Sequence, residues 1–169
     1  MKTKNLTKIA IMTCTALVIY FVEAQLPPVV PVPGVKLGLS NIITVLALYL
    51  MKKREAIAVV FLRVVLSSIF SGSLLSFLYS AAGSMFSLCI MLPLSFKLPP
   101  KYLFLMSILG ATAHNTGQIL TAILVTHTPS LIVYLPVLIL SGCITGLFTG
   151  LGAALVYDRI QKSTKKKQC

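Results

Sequence analysis

Residues 102–125 read Tyr-Leu-Phe-Leu-Met-Ser-Ile-Leu-Gly-Ala-Thr-Ala-His-Asn-Thr-Gly-Gln-Ile-Leu-Thr-Ala-Ile-Leu-Val. A bilayer core about 30 Å thick takes about 20 helical residues, and this run is long enough to cross one. Its ends are apolar, but its middle carries His114, Asn115 and Gln118. Gly110, His114, Gly117, Gln118 and Thr121 recur at three- and four-residue spacing, so a helix gathers them on one face. At 1.5 Å per residue His114 falls roughly 18 Å into the span, near its midplane. Interhelical hydrogen bonding explains some polar residues at such depth. Three large polar side chains within five residues exceed that need, and point to the lining of a ligand site.

The rest of the chain supports the membrane reading. Of 169 residues, 57% are hydrophobic and 11% charged, with a mean hydropathy of +0.94. Soluble domains carry about 25% charged residues, so a soluble enzyme and a disordered chain are both excluded. Further apolar runs occupy 9–26, 37–51, 56–79, 85–96 and 131–157. The expected fold is an all-α integral membrane protein, one membrane domain over 1–169. It is a six-helix transmembrane bundle ending in a basic tail, 158–169. The run 9–26 follows basic residues and is read as a retained span, because Glu23 and Pro27-Pro28 make a poor cleavage site. Between runs one and two, Pro27, Pro28, Pro31, Pro33 and Gly34 allow no continuous helix. This Pro-rich segment is expected to be irregular backbone buried in protein or lining a cavity.

The formal charge is +12, yet the basic residues cluster between or beyond the apolar runs: Lys2, Lys4 and Lys8; Lys52, Lys53 and Arg54; Lys97 and Lys101; and Arg159 with Lys162, Lys165, Lys166 and Lys167. With six spans, every Lys and Arg except Lys36 and Arg63 falls on one side. The positive-inside rule makes that side cytoplasmic, with both termini, in the multi-pass geometry of a cell-membrane protein. Nucleic acid is not an expected partner, since no basic residues interleave with aromatics on a solvated face. The basic tail reads as an anchor on anionic lipid of the bilayer. The four cysteines have no CxxC or Cys/His ligand spacing, and no metal or cofactor is expected. The whole acid supply is Glu23, Glu55 and Asp158, too few for an Asp-rich magnesium site.

Other embedded polar residues form candidates. Arg63 shares a helical face with Ser67 and Ser71; snorkelling to headgroups and a ligand role both remain open for it. Glu23 and Gln25 end the first run, level with Lys36, Ser40 and Asn41, and a Glu23–Lys36 pair is the simplest use of those charges. Counting Arg63, the embedded charges sum to a surplus positive, which suits an anionic group. Gly142, Gly146 and Gly150 form a close-packing ridge, facing either another helix of the chain or another subunit.

Several stretches resemble one family. Pro33-Gly34-Val35-Lys36-Leu37-Gly38-Leu39-Ser40-Asn41 is similar to a PGxKLGLxN signature, and Gly110 to Gln118 to a GAxxHNxGQ pattern. Arg63 with Ser71-Gly72, Ser80-Ala81-Ala82-Gly83 and Tyr134-Leu135-Pro136 also fit in order. The family is known as Gx transporter and as heptaprenyl diphosphate synthase component I. Its architecture resembles the S-components of energy-coupling-factor transporters, six-helix proteins with a pocket near the outer face. Some relatives are associated with flavin-based electron transfer, implying flavin or quinone partners. Resemblance to S-components implies docking to a module with ATPases through small residues of the first helix; Ala10 is followed four positions later by Cys14, a departure from that AxxxA pattern. Prenyl synthases resemble one another in paired Asp-rich motifs, which this chain lacks, and it has no phosphate loop.

The expected function is that of an S-component-like membrane protein that binds a small anionic or amphipathic molecule for transport. The alternative is a non-catalytic membrane component of prenyl diphosphate synthesis or of a flavin or quinone electron-transfer assembly, with a synthase or flavoprotein partner. No catalytic constellation is evident in the sequence. The expected substrate-binding residues are Lys36, Asn41, Arg63, His114, Asn115 and Gln118.

Overall fold

The computed structural model describes residues 3–26 and 38–166, with side chains described through Ser163. The prolines of the broken segment and Lys36 lie outside the described residues. The described elements are all helical: α1 (Thr3–Ala24), α2 (Asn41–Leu50), α3 (Lys53–Ser71), α4 (Leu74–Lys97), α5 (Leu103–Thr126) and α6 (Leu135–Lys166). Single 3-10 segments led by Pro100 and Pro129 introduce α5 and α6, where fixed φ and a missing N–H suit a helix start.

α5 runs between α4 and α6, α1 packs on α3, and the short α2 touches all five others. Ten residues reach only about 15 Å, half a bilayer. Apart from Asn41 and Thr44, α2 is apolar, and its Ile43, Val45, Leu46, Ala47 and Leu48 are buried, as expected of a helix enclosed by others.

Polarity is reversed relative to a water-soluble domain. Ile11, Val18, Phe61, Ile69, Phe70, Met85, Phe148 and Leu155 are exposed, while Glu23, Asn41, Arg63, His114, Asn115 and Gln118 are buried. Three helical stretches, Thr3–Ala24, Leu74–Lys97 and Pro129–Ser163, are long and apolar enough to cross a membrane. In α3 the residues Lys53, Arg54, Glu55 and Arg63 lower the apolar character. In α5 the same is done by His114, Asn115 and Gln118.

One expected boundary is wrong. The third helix, read as 56–79, stops at Ser71, and the fourth, read as 85–96, begins at Leu74. Gly72 adopts a left-handed φ of 62° and its N–H donates to Ser68 O, a glycine helix stop. The Ser73 hydroxyl then accepts from Ser76 N at 3.3 Å and caps α4. Ser80-Ala81-Ala82-Gly83-Ser84, read as a turn, is regular helix inside α4. Its small residues serve a close approach instead: a Cβ on Gly83 would stand 2.9 Å from His114 O of α5. α6 also continues as helix to Lys166, well into the expected tail.

The glycine ridge of α6 faces α5 of the same chain. A Cβ on Gly146 would lie 2.6 Å from Ile108 Cα, and one on Gly150 2.5 Å from Phe104 Cα. Ser107 and Thr149 hydroxyls meet across this seam at 2.8 Å.

Candidate functional site

The described part of the break before α2 converges with α1, α3, α4 and α5 on one buried polar cluster. Arg63 of α3 is 4% exposed. Its Nη1 donates to Ser40 Oγ and its Nη2 to Ser84 Oγ at 2.5 Å. The Arg63 head is therefore held inside the bundle, which removes the snorkelling alternative. Both acceptors are neutral hydroxyls, so the charge needs compensation elsewhere. Glu23, at the end of α1, is the buried carboxylate among the described residues and interacts electrostatically with Arg63. Its Oε1 accepts from Gly38 N at 2.5 Å. Lys36, the partner first expected for Glu23, lies outside the described residues.

Gly38 is required twice over. Its φ of 80° is left-handed, which L side chains resist. A Cβ there would also stand 3.1 Å from His114 Cδ2 and 3.2 Å from Asn41 Nδ2. The chain entering α2 thus lies directly on the polar face of α5.

His114 and Gln118 of α5 are both buried and share a small cavity with Glu23, Ser40, Arg63 and Ser67. The cavity measures about 10 Å³, room for one water at most. His114 Nδ1 lies close to Gly83, where an added Cβ would stand 2.9 Å from it. Asn41 is 1% exposed and neither its Oδ1 nor its Nδ2 has a partner. Leaving such atoms buried and unpaired costs about 1–3 kcal/mol each, so the cluster holds donor and acceptor capacity that the fold does not use.

Of the six residues expected to bind, the structure gathers Arg63, His114 and Gln118 around the cavity, with Asn41 beside His114. Asn115 is elsewhere: its Nδ2 donates to Leu138 O of α6 at 2.8 Å, next to Gly142. It ties two helices together, although its Oδ1 finds no partner. The reading from sequence omitted Glu23, Gly38 and Ser84 from the site. A buried arginine requires a nearby carboxylate, and that signal was available for Glu23. Ser84 carries no such signal, because a serine among small residues suits a turn as well as a helix contact. Ser71 is exposed beyond the cluster, unlike Ser67.

A chain whose described elements are all helical, with apolar flanks and a buried cluster of charges beside unpartnered amide atoms, is a protein of the membrane type. The chain belongs to the heptaprenyl diphosphate synthase component I family, whose model matches residues 12–156. No curated protein and no solved structure matches it.

Proposed function

We propose that this protein is a six-span membrane protein that binds a small molecule with an anionic or polar group and takes part in its transport. The span count treats α2 and the segment before it as one broken crossing. Under that topology Lys8, Lys52, Arg54, Lys97, Lys101, Arg159 and Lys162 all lie at one end, which the positive-inside rule makes cytoplasmic. The observation that carries the binding role is the buried Asn41 amide, unpartnered beside His114 and the Arg63–Glu23 charges. Buried polar groups without partners are rare enough to call for a ligand or water.

In this reading Arg63 meets the anionic group, while Asn41 and Gln118 orient the ligand by hydrogen bonds and His114 donates or accepts. Lys36 is proposed as a second cation from its position two residues before Gly38. Asn115 is retained as a helix tie that fixes the rotation of α5. Ligand pockets run to about 300–1,000 Å³, so a ligand occupies this site only after residues 38–40 move off the face of α5. Arg63 then exchanges Ser40 for the ligand.

The second reading rests on the family description, in which "component I" implies another component: a non-catalytic membrane partner of a prenyl diphosphate synthase. Mild-detergent purification of the tagged protein from its own cells, followed by identification of the partners, tests the choice. An ATPase pair with a coupling subunit is the expected result. A prenyl synthase or a flavoprotein without ATPases contradicts transport and favours the second reading.

A further inference from the structure

At the opposite end of the molecule from the polar cluster, α1 and α6 flank the end of α2 and leave a groove of about 360 Å³. Its floor is apolar, from Met12 and Leu50, and its rim is polar, from Lys8 and Gln161. The aromatic groups beside it are fixed. Tyr49 donates its hydroxyl to Leu98 O at 2.9 Å, and its ring stands edge-on to Tyr157 at 6.4 Å. Gln161 Nε2 donates to the Tyr157 hydroxyl at 3.1 Å. Tyrosines anchored in this way are the side chains of a membrane–water boundary.

The charge at this groove is positive. A bare helix C-terminus repels anions, but here Lys53 Nζ donates to Leu48 O at 2.7 Å and lies 5.5 Å from the Tyr49 ring centroid. Its ammonium therefore covers the negative end of α2. Lys8 is exposed on the rim and forms no ion pair among the described residues; Lys52, next to the lining Met51, and Arg159 and Lys162 of α6 are also exposed. The opposing acids are few: Glu55 accepts from Asn5 Nδ2 at 2.7 Å, and Asp158 is exposed on α6.

An apolar floor, a tyrosine belt and a cationic rim at one level match the parts of one kind of molecule. We propose that this groove holds an anionic phospholipid, its phosphate at Lys8 and an acyl chain over Met12 and Leu50, leaving the protein past Ile11 and Ile160. The site rests on the membrane orientation proposed above but not on the small-molecule role of Arg63 and His114. Such a lipid would wedge α1 against α6, both of which pack on α2.

The test places the full chain in nanodiscs of equal phosphatidylglycerol and phosphatidylethanolamine, then counts lipids retained after mild detergent transfer by native mass spectrometry. Wild type is expected to retain phosphatidylglycerol in preference. Lys8→Gln should reduce that retention about fivefold, and Met12→Trp, which fills the floor without changing charge, should abolish it. Arg54→Gln, at the same end but outside the groove, should leave it unchanged. Equal retention of the two lipids, or equal losses in Lys8→Gln and Arg54→Gln, overturns the lipid site alone. Failure of the folded chain to enter nanodiscs overturns both the site and the orientation beneath it.

Discussion

α5 turns polar residues toward two neighbours, and the two contacts are built on different terms. Toward α6, Asn115 donates to Leu138 O, Ser107 meets Thr149, and glycines let the backbones touch. Toward α2, α3 and α4, His114 and Gln118 join two buried charges, an unpartnered Asn41 and a residual void. Polarity inside a membrane-type bundle thus has two uses. A seam spends most of its hydrogen-bonding capacity on fixing helices, with Asn115 Oδ1 the atom left over. A site leaves some capacity unspent, at a cost in stability of the empty protein.

The contrast is most strongly tested by the charges. Arg63→Met leaves Glu23 buried without its counter-charge and should destabilise the protein by about 3–5 kcal/mol, read as a fall in the thermal midpoint in detergent. Adding Glu23→Gln should recover most of that loss while leaving ligand binding absent. If the double variant is no more stable than the single, the two charges do not compensate each other.

Next comes the seam. Gly146→Val drives a branched side chain into the backbone at Ile108 and should cost about 1–3 kcal/mol, with the order of ligand preference unchanged. A shift in preference without a loss of stability would make the seam part of the site.

Gly38→Ala should cost about 1–2 kcal/mol from the left-handed φ alone, and contact with His114 adds to it. The accompanying readout is ligand affinity, which should fall because the chain before α2 no longer seats on α5. Unfolding by denaturant separates the stability effect from the affinity effect.

The smallest pair separates the two contacts most cleanly, because the changes are alike in chemistry. Asn41→Leu removes buried amide atoms that nothing satisfies and should be neutral or stabilising to the empty protein, by up to about 1–3 kcal/mol. Asn115→Leu removes a formed hydrogen bond and should destabilise by about 0.5–1.5 kcal/mol. A loss in Asn115→Leu with none in Asn41→Leu on parallel thermal melts supports the division, and a loss in both removes it.

Much of this was written in the sequence. Run length and the midplane polar group located α5 to within a residue at each end, since 102–125 became Leu103–Thr126. The division of labour within α5 was not legible. His114 and Asn115 are adjacent in sequence and therefore about 100° apart on the helix, and only the packing of α4 and α6 tells which neighbour each one meets. The α3–α4 boundary was missed because small residues suit both a turn and a close helix contact. Gly72 carries the stop signal, whereas the run 80–84 has only small residues to suggest a turn. The sequence does not show that Glu23 also meets Gly38 N and the Arg63 charge, because residues 15 and 40 positions away come beside it only through packing.

The most direct test is native mass spectrometry of the gently purified protein, comparing wild type with His114→Ala and with Asn115→Ala. The account predicts a small-molecule adduct on wild type and Asn115→Ala that is missing from His114→Ala. An adduct that survives His114→Ala, or a wild type that carries none even from its own membranes, would contradict a binding role for the buried cluster.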